Sequence, residues 1–388
     1  MQEVIAGVEP DCAADPHVER LRLAVALDGD PEAPGAAGTK FGLFIQALRD
    51  HPAIDLAGIG DLTLGGPVRA VAAAAAWRPN KARWKEHYRK NPLTFQLRSR
   101  QTRRWLADLP TRPDMMLQVG SMSNPAVSFG IPYALYLDFT FALTQREWPD
   151  RAPMARYEIP LWLKLESKTY HGASVIFCRS QHLANSLRED YGVDPSKIHV
   201  VGAGVNIALP DNRALPVRDQ PRVLFIGSDF RRKGGDMVLD AWKIVQQRVP
   251  NARLTMIGPT PVDLPVNVET NGGRWDPMTI IRELRRASVF VMPSRCETWG
   301  DVFIEAMAYA VPCIGSTNDA MPEIIEDGRT GYVVPPDNPA ALADRICDLL
   351  LDPEKAAAFG AAGRRRVEER YLWDDVIDQM LQVLNSVR

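Results

Sequence analysis

Glu297 and Glu305 stand eight residues apart in Pro293-Ser294-Arg295-Cys296-Glu297-Thr298-Trp299-Gly300-Asp301-Val302-Phe303-Ile304-Glu305-Ala306-Met307. Carboxylates accept hydrogen bonds from hydroxyl groups, and the Trp299-Gly300 step lets main-chain N–H groups at a helix start face an anion. A second constellation is Gly227-Ser228-Asp229-Phe230-Arg231-Arg232-Lys233-Gly234-Gly235, a short loop with three cations. Arginine offers a planar fork and lysine a point charge, and both match diphosphate oxygens. Gly227 permits close backbone approach. Acids, cations and anion-binding amides together suit a ligand with phosphate and many hydroxyls, such as a nucleotide sugar. The plain alternatives are surface charge for the loop, a solvated helix face for Glu305 and a helix N-terminal acid for Glu297. That last placement is worth only ~0.3–1 kcal/mol.

The elements around these residues alternate between strand and helix signals, which points to βαβ units and parallel sheets. Ala287 to Met292 reads as a buried strand and Val302 to Ala310 as the helix after it. Glu297 is thereby expected at the carboxyl end of a strand, with Glu305 one to two turns into the next helix. In open α/β sheets that crevice holds ligands. Earlier strands are read at Leu21 to Leu27, Ile54 to Ile59, Met115 to Val119, Tyr133 to Leu137, Ser174 to Cys178 and Ile198 to Val201. A Gly/Pro loop, Asp28 to Thr39, precedes a helix from Lys40 to Arg49, and a later helix runs from Gln181 to Tyr191. Strands at Arg222 to Gly227, Arg253 to Ile257 and Val311 to Gly315 complete a second sheet, with helices at Asp236 to Gln247, Pro339 to Leu351, Pro353 to Tyr371 and Asp374 to Val387.

A chain of 388 residues exceeds one ordinary core. We expect an α/β protein with two Rossmann-like domains facing across a cleft. Residues 20–208 form the N-terminal acceptor-side domain, 209–220 a proline-containing linker and 221–373 the C-terminal donor-binding domain. Residues 374–388 cross back as a helix. Residues 1–19 are acidic, do not read as a signal peptide and are expected to be poorly ordered. The net charge of −2 gives no global pull toward nucleic acid, and no such partner is expected. Five scattered cysteines with no CxxC pair indicate neither a zinc site nor a disulfide framework. No apolar run is long enough for a membrane span. A reduced, cytoplasmic setting is expected.

The stretch from Arg78 to Trp105 holds ten Lys/Arg and a single acid, Glu86, interleaved with Trp84, Tyr88, Phe95 and Trp105. Basic helices with aromatics suit a peripheral contact with an anionic membrane face. The pattern also suits an anionic acceptor, or simply a solvated helical face.

These motifs, taken in order, resemble family-four retaining glycosyltransferases of the GT-B fold over most of the chain. The resemblance rests on Glu297-x7-Glu305 with Pro293-Ser294 before it and Ala306-Met307-Ala308 after it, and on Arg232-Lys233-Gly234. It rests also on Val200-Val201-Gly202-Ala203-Gly204-Val205-Asn206, on the loop around Gly35 and Gly38, on Asp327-Gly328-x-x-Gly331 and on the crossover signal Tyr371-Leu372-Trp373. It implies a hexose moved from a nucleoside-diphosphate sugar, with UDP favoured over GDP by family frequency, to an acceptor hydroxyl in glycan or glycolipid biosynthesis. The acceptor is expected to be a saccharide, a lipid-linked sugar or a small molecule, and no cofactor or metal is required. Glu305 would accept from the ribose, Glu297 would sit beside the donor sugar, and Arg232 and Lys233 would hold the diphosphate. The amides of Thr298, Trp299 and Gly300 would bind sugar or phosphate. Gly38 and Thr39 would approach the donor phosphates on closure, with Lys40 a further candidate.

Two positions depart from the family pattern. Ser228 stands where many relatives carry arginine, which leaves Arg231 and Arg232 both as diphosphate candidates. Asp138, in Asp138-Phe139-Thr140, stands where many carry histidine, and resembles a subgroup with an Asp-x-Thr motif. Asp138 is a candidate for orienting the acceptor hydroxyl or donor sugar, with loop capping as the plain alternative. His171 and His182 read as surface or packed histidines. Other readings are an epimerase or phosphorylase on the same scaffold, and a non-catalytic binder of nucleotide sugars or glycans.

Overall fold

The computed structural model describes residues 20–33, 36–125, 130–210, 220–261, 263–271 and 276–388, with main chain alone for 36–39. The first sheet contains β1 (Leu21–Leu27), β2 (Ile54–Asp61), β3 (Met115–Val119), β4 (Tyr133–Leu137), β5 (Val175–Cys178) and β6 (Ile198–Val200), in the order β2-β1-β3-β4-β5-β6. The second contains β7 (Arg222–Ile226), β8 (Arg253–Ile257), β9 (Val268–Thr270), β10 (Val289–Met292), β11 (Cys313–Ser316) and β12 (Gly331–Val334), in the order β12-β11-β10-β7-β8-β9. Every strand pairing described is parallel. Parallel sheets are covered on both faces, so their strands are continuously apolar. β4, β7 and β10 are accordingly buried along their whole length.

The first domain is wrapped by α1 (Ala36–Asp50), α2 (Gly66–Ala75), α3 (Lys81–Arg89), α4 (Pro92–Ala107), α5 (Phe141–Glu147), α6 (Glu158–Gly172) and α7 (Gln181–Glu189). The second carries α8 (Gly235–Arg248), α9 (Pro277–Arg286), α10 (Asp301–Ala308), α11 (Met321–Ile324), α12 (Pro339–Leu351) and α13 (Pro353–Arg370). The last helix, α14 (Trp373–Val387), returns to the first domain and packs on α1 and β5. Trp373 anchors it. Its ring lies 4.8 Å from that of Phe44, and its Nε1 donates to Asn206 Oδ1 at 3.2 Å. A side chain at Gly204 would meet the same ring at 2.4 Å, so the return needs glycine there. The expected GT-B architecture of two Rossmann-like domains with a returning helix is what the chain forms.

Several expectations need correction. The loop read from Asp28 to Thr39 is shorter, because α1 begins at Ala36. Gly38 and Thr39 therefore lie in its first turn, where Ala36 and Ala37 favour helix strongly enough to carry a glycine; their side chains fall outside the described residues. The strand read from Val311 starts at Cys313, since Ala310 has φ 52° and Pro312 cannot donate to the ladder. The edge strands β9 and β12 were not expected; three and four residues are too short to show a period. Residues 1–19 and most of the linker, 211–219, lie outside the described residues.

The basic stretch from Arg78 forms α3 and α4, capped by Asn80 and Asn91. Its aromatics turn inward rather than toward a membrane face. Phe95 packs edge-on against Trp162 at 5.4 Å, Trp105 covers Gly60, and Trp84 donates to Ala73 O at 2.8 Å. Lys81, Arg83, Lys85, Arg100 and Arg104 remain exposed. Among the described residues no helix is long and apolar enough to cross a membrane.

Candidate active site

Strand order reverses between β7 and β10 in the second sheet and between β1 and β3 in the first. Loops leaving the strands at such a reversal diverge and open a crevice. Pairing of Val289 with Val223 and Phe290 with Leu224 sets β7 and β10 side by side. The cationic loop after Ile226 thus lies against the glutamate loop after Met292, fastened by Arg295 N–H donating to Arg232 O at 2.8 Å. Glycines permit the contact. A Cβ on Gly227 would stand 2.9 Å from that of Lys233. Gly234 takes φ 76° and leaves no room for one against Pro293 O.

This packing joins Lys233 to Glu297 as an ion pair, with side chains only 12% and 8% exposed. Glu297 N–H donates to Asp319 Oδ2 at 2.6 Å, which fixes the main chain just before the helix. Gly300 caps α10 at φ 101°, a conformation that favours glycine. The Trp299 ring is 3% exposed and meets Tyr371 edge-on at 6.0 Å. Its side chain is therefore committed to packing.

Glu305 lies one turn into α10 and is half-buried. Among the described residues it makes no hydrogen bond or ion pair. Burial, and secondarily the charge of Asp301, push its carboxyl up to about 8. A carboxylate in this state gains from hydroxyl donors, which favour its charged form.

Arg231 and Arg232 separate cleanly. The Arg231 side chain is 88% exposed. Arg232 turns inward, donates to Cys296 O at 2.7 Å and lies over the Trp148 ring of the other domain at 4.1 Å. Arg151 lies over the same ring at 4.4 Å, so one indole bridges two guanidinium groups.

The first domain supplies the facing wall. Asp138 leaves the end of β4 and accepts from Lys40 Nζ at 2.7 Å. Burial alone would raise its carboxyl, but Lys40 and Arg179 outweigh it and hold the group well below the carboxylate range. Thr140 of the same motif has a structural task. Its hydroxyl oxygen caps α5, accepting from Leu143 N–H at 3.1 Å, and bonds Ser186 Oγ at 2.7 Å. A cavity of about 440 Å³ joins the two walls, lined by Lys40, Asp138, Arg179, Arg232, Glu297 and Thr298 among others.

Three contacts close the domains on each other. Arg179, 2% exposed, faces Asp301 in the first turn of α10 at 3.5 Å. Glu323 accepts the main-chain N–H groups of Gln181 and His182 at 2.6 and 2.9 Å, the placement a helix N-terminus favours. His182 bonds Glu147 at 3.0 Å and lies 3.6 Å from Asp319. The Glu147 hydrogen bond raises His182, and burial raises Asp319 to about 6. Among the described residues, Glu147, His182 and Asp319 are the group spaced closely enough to hold a metal, with ligand atoms within 4.8 Å. His171 is an exposed histidine whose ring meets Tyr191 O at 3.0 Å.

Arg232, Glu297 and Thr298 line the cavity on one wall and Asp138 on the other. Lys233 pairs with Glu297 behind that wall, Gly227 and Gly300 shape its loops, Glu305 lies one turn into α10, and Arg231 points away. Sequence reading missed Arg179, Trp148, Asp319 and Glu323. Arg179 had a signal, as the first residue after a buried strand. Trp148 had none, because only domain closure sets it on Arg232.

Two family models match the chain: Glycosyltransferase Family 4 over residues 63–209 and Glycosyl transferases group 1 over residues 211–366. The chain belongs to this glycosyltransferase family. The transferase is 28% identical over 294 residues to an alpha-maltose-1-phosphate synthase of Mycolicibacterium smegmatis, covering 67% of this chain and 74% of the relative. It is 31% identical over 187 residues to a GDP-mannose-dependent alpha-(1-6)-phosphatidylinositol monomannoside mannosyltransferase of the same organism, covering 44% of this chain and 49% of the relative. In structure it is similar to a sucrose-phosphate synthase from Thermosynechococcus elongatus, with a TM-score of 0.72 over 95% of this chain and 99% of that one, at 19% identity. That likeness shows the fold.

Proposed function

We propose that the enzyme is a retaining, metal-independent hexosyltransferase that uses a nucleoside-diphosphate sugar. The observation that carries this reading is the buried Lys233–Glu297 pair at the strand-order reversal, eight residues ahead of Glu305. Glu305 accepts from the ribose hydroxyls. Arg232 and Lys233 hold the diphosphate and offset the charge that develops on it. Glu297 and the amides of Thr298, Trp299 and Gly300 read the donor sugar. Lys40 holds Asp138 ionised at the facing wall, where it orients the acceptor hydroxyl. The acceptor oxygen bonds to the anomeric carbon, the bond from that carbon to the diphosphate breaks, and the hydroxyl proton leaves on the departing phosphate. Closure of the domains excludes water and limits donor hydrolysis.

The two-domain division at 209–220 and a setting in glycan or glycolipid biosynthesis, at or near the cytoplasmic membrane face, belong to the same reading. UDP remains the donor carrier favoured by family frequency, and the relative named for GDP-mannose makes GDP the second carrier to test. A thermal-shift screen of nucleoside diphosphates, followed by donor turnover with Glu297→Ala and Lys233→Ala, tests the reading. A nucleoside diphosphate should raise the melting temperature. Both variants should remain folded and lose turnover. Full activity in both would overturn the site assignment.

A further inference from the structure

The acceptor-side wall carries a cation that the donor site does not use. Six cations line the cavity: Lys40, Arg89, Lys90, Arg151, Arg179 and Arg232. Most have an acidic partner. Lys40 meets Asp138 at 2.7 Å, Arg89 meets Asp28 at 3.3 Å, Arg151 meets Glu86 at 2.6 Å and Arg179 faces Asp301 at 3.5 Å. Arg232 is held by Cys296 O and lies 3.6 Å from Asp229.

Lys90 differs. It ends α3, and its ammonium donates to Arg151 O at 3.1 Å. Among the described residues no carboxylate lies within ion-pair distance of it. Burial lowers Lys90 to about 8; Glu86 pulls it upward, while Arg151 and Arg89 push it further down. The remaining acid of the wall, Glu166, also pulls Lys90 upward, but as the weakest of these influences and from beyond ion-pair distance. It accepts from Ser121, Tyr191 and Phe141 N–H, and burial still pushes its carboxyl up. A half-buried ammonium between two arginines, at a cavity that also reaches Asp138 and Glu297, is complementary to an anion. Lys90 without an acid, with Arg89 and Arg151 on the same cavity lining, suits a phosphate, which presents three oxygens, better than a planar carboxylate. The cavity volume of about 440 Å³ is in the range of small-ligand sites.

We propose that this wall is the acceptor subsite and takes a phosphate-bearing acceptor, its phosphate against Lys90 between Arg89 and Arg151 and its hydroxyl toward Asp138 and Glu297. The proposal rests on the donor lying at Glu297, as inferred above. The phosphate is a handle and takes no part in bond exchange. A soluble sugar phosphate and a phospholipid headgroup share this chemistry.

The test uses the full chain, with and without saturating nucleoside diphosphate. Glucose, glucose 1-phosphate and glucose 6-phosphate are titrated calorimetrically. Sedimentation with phosphatidylinositol and phosphatidylcholine vesicles supplies the lipid arm. We expect a phosphate-bearing probe to bind where glucose does not, and Lys90→Met to weaken it by about 30-fold or more. Nucleoside-diphosphate affinity should be unchanged in that variant, and Lys81→Met, on the exposed part of α3, should behave as wild type. Sugar phosphates binding in solution identify a soluble acceptor; binding confined to phosphatidylinositol vesicles identifies a headgroup. Should Lys90→Met fail to fold, Arg89→Gln is measured in its place, with the same loss expected. Equal preference for glucose, no binding of any phosphate probe, or undiminished binding by the variant overturns the proposal. Failure of the donor reading shows separately, as absence of nucleoside-diphosphate binding.

Discussion

Replacing Lys233 by methionine isolates the energetics of the donor wall. The substitution keeps an unbranched side chain one atom shorter and removes its charge, leaving the Glu297 carboxylate only 8% exposed and without its cation. Ser294 Oγ, at 3.5 Å, is the nearest remaining side-chain donor and is too distant to compensate. Breaking a buried pair in this way costs about 3–5 kcal/mol. In a domain of about 150 residues each kcal/mol lowers the melting temperature by about 2–4 °C, so a fall of about 6–20 °C is expected. The double variant Lys233→Met/Glu297→Gln removes both charges and should recover much of that loss, a coupling of about 1–3 kcal/mol. Both variants should lose transfer. Differential scanning fluorimetry near neutral pH reads the stability, and release of nucleoside diphosphate reads the activity. A single variant melting within about 2 °C of wild type would refute the claim that this pair is buried and mutually dependent.

Glu305 gives a pH prediction. Its carboxyl is raised to about 8, so the folded chain favours the protonated form. The stability this confers is complete below the unfolded value and is lost as pH rises through about 8; Glu305→Gln should flatten that decline in a series of thermal melts. Ribose hydroxyls favour the charged form, so nucleoside-diphosphate binding at neutral pH should release a proton. Calorimetry in two buffers of different ionisation heat reads this, and an unchanged signal in Glu305→Gln would exclude Glu305. Gly300→Ala places a side chain at φ 101°, with its Cβ 2.8 Å from the Phe303 ring. It should cost at least about 1–2 kcal/mol and weaken donor binding, as read by melts with and without nucleoside diphosphate. Asp138→Asn should lower transfer at least about tenfold while leaving nucleoside-diphosphate affinity unchanged, since Asp138 stands on the facing wall. Equal losses in both measurements would point to a structural role instead.

Much of the fold was legible because its information is local. Buried parallel strands are unbroken apolar runs, and β1, β3, β4, β8 and β10 stand where those runs stand. The donor wall was legible for a related reason: its residues occupy two short loops, each bounded by a strand and a helix. The edge strands β9 and β12 were too short for a period to show. The inward turn of Trp84, Phe95 and Trp105 was equally hidden. A basic helix with aromatics reads alike whether those rings face lipid or the body of the domain, and only the packing partners Ala73, Trp162 and Gly60 distinguish the two.

The amino-acid order alone placed Glu297 and the Arg232-Lys233 loop at strand ends and Glu305 in the helix that follows, and it separated the chain into two sheets. Tertiary structure decided which of these groups share charge. Lys233 rather than Arg231 meets Glu297 because Gly227 and Gly234 let one loop press against the next. Lys40 reaches Asp138 across 98 residues, and Trp148 reaches Arg232 across the domain boundary. Local sequence sets hydrophobic period and turn chemistry. The neighbours of a charge in a cleft are set by strand order and domain closure, and these bring together residues far apart along the chain.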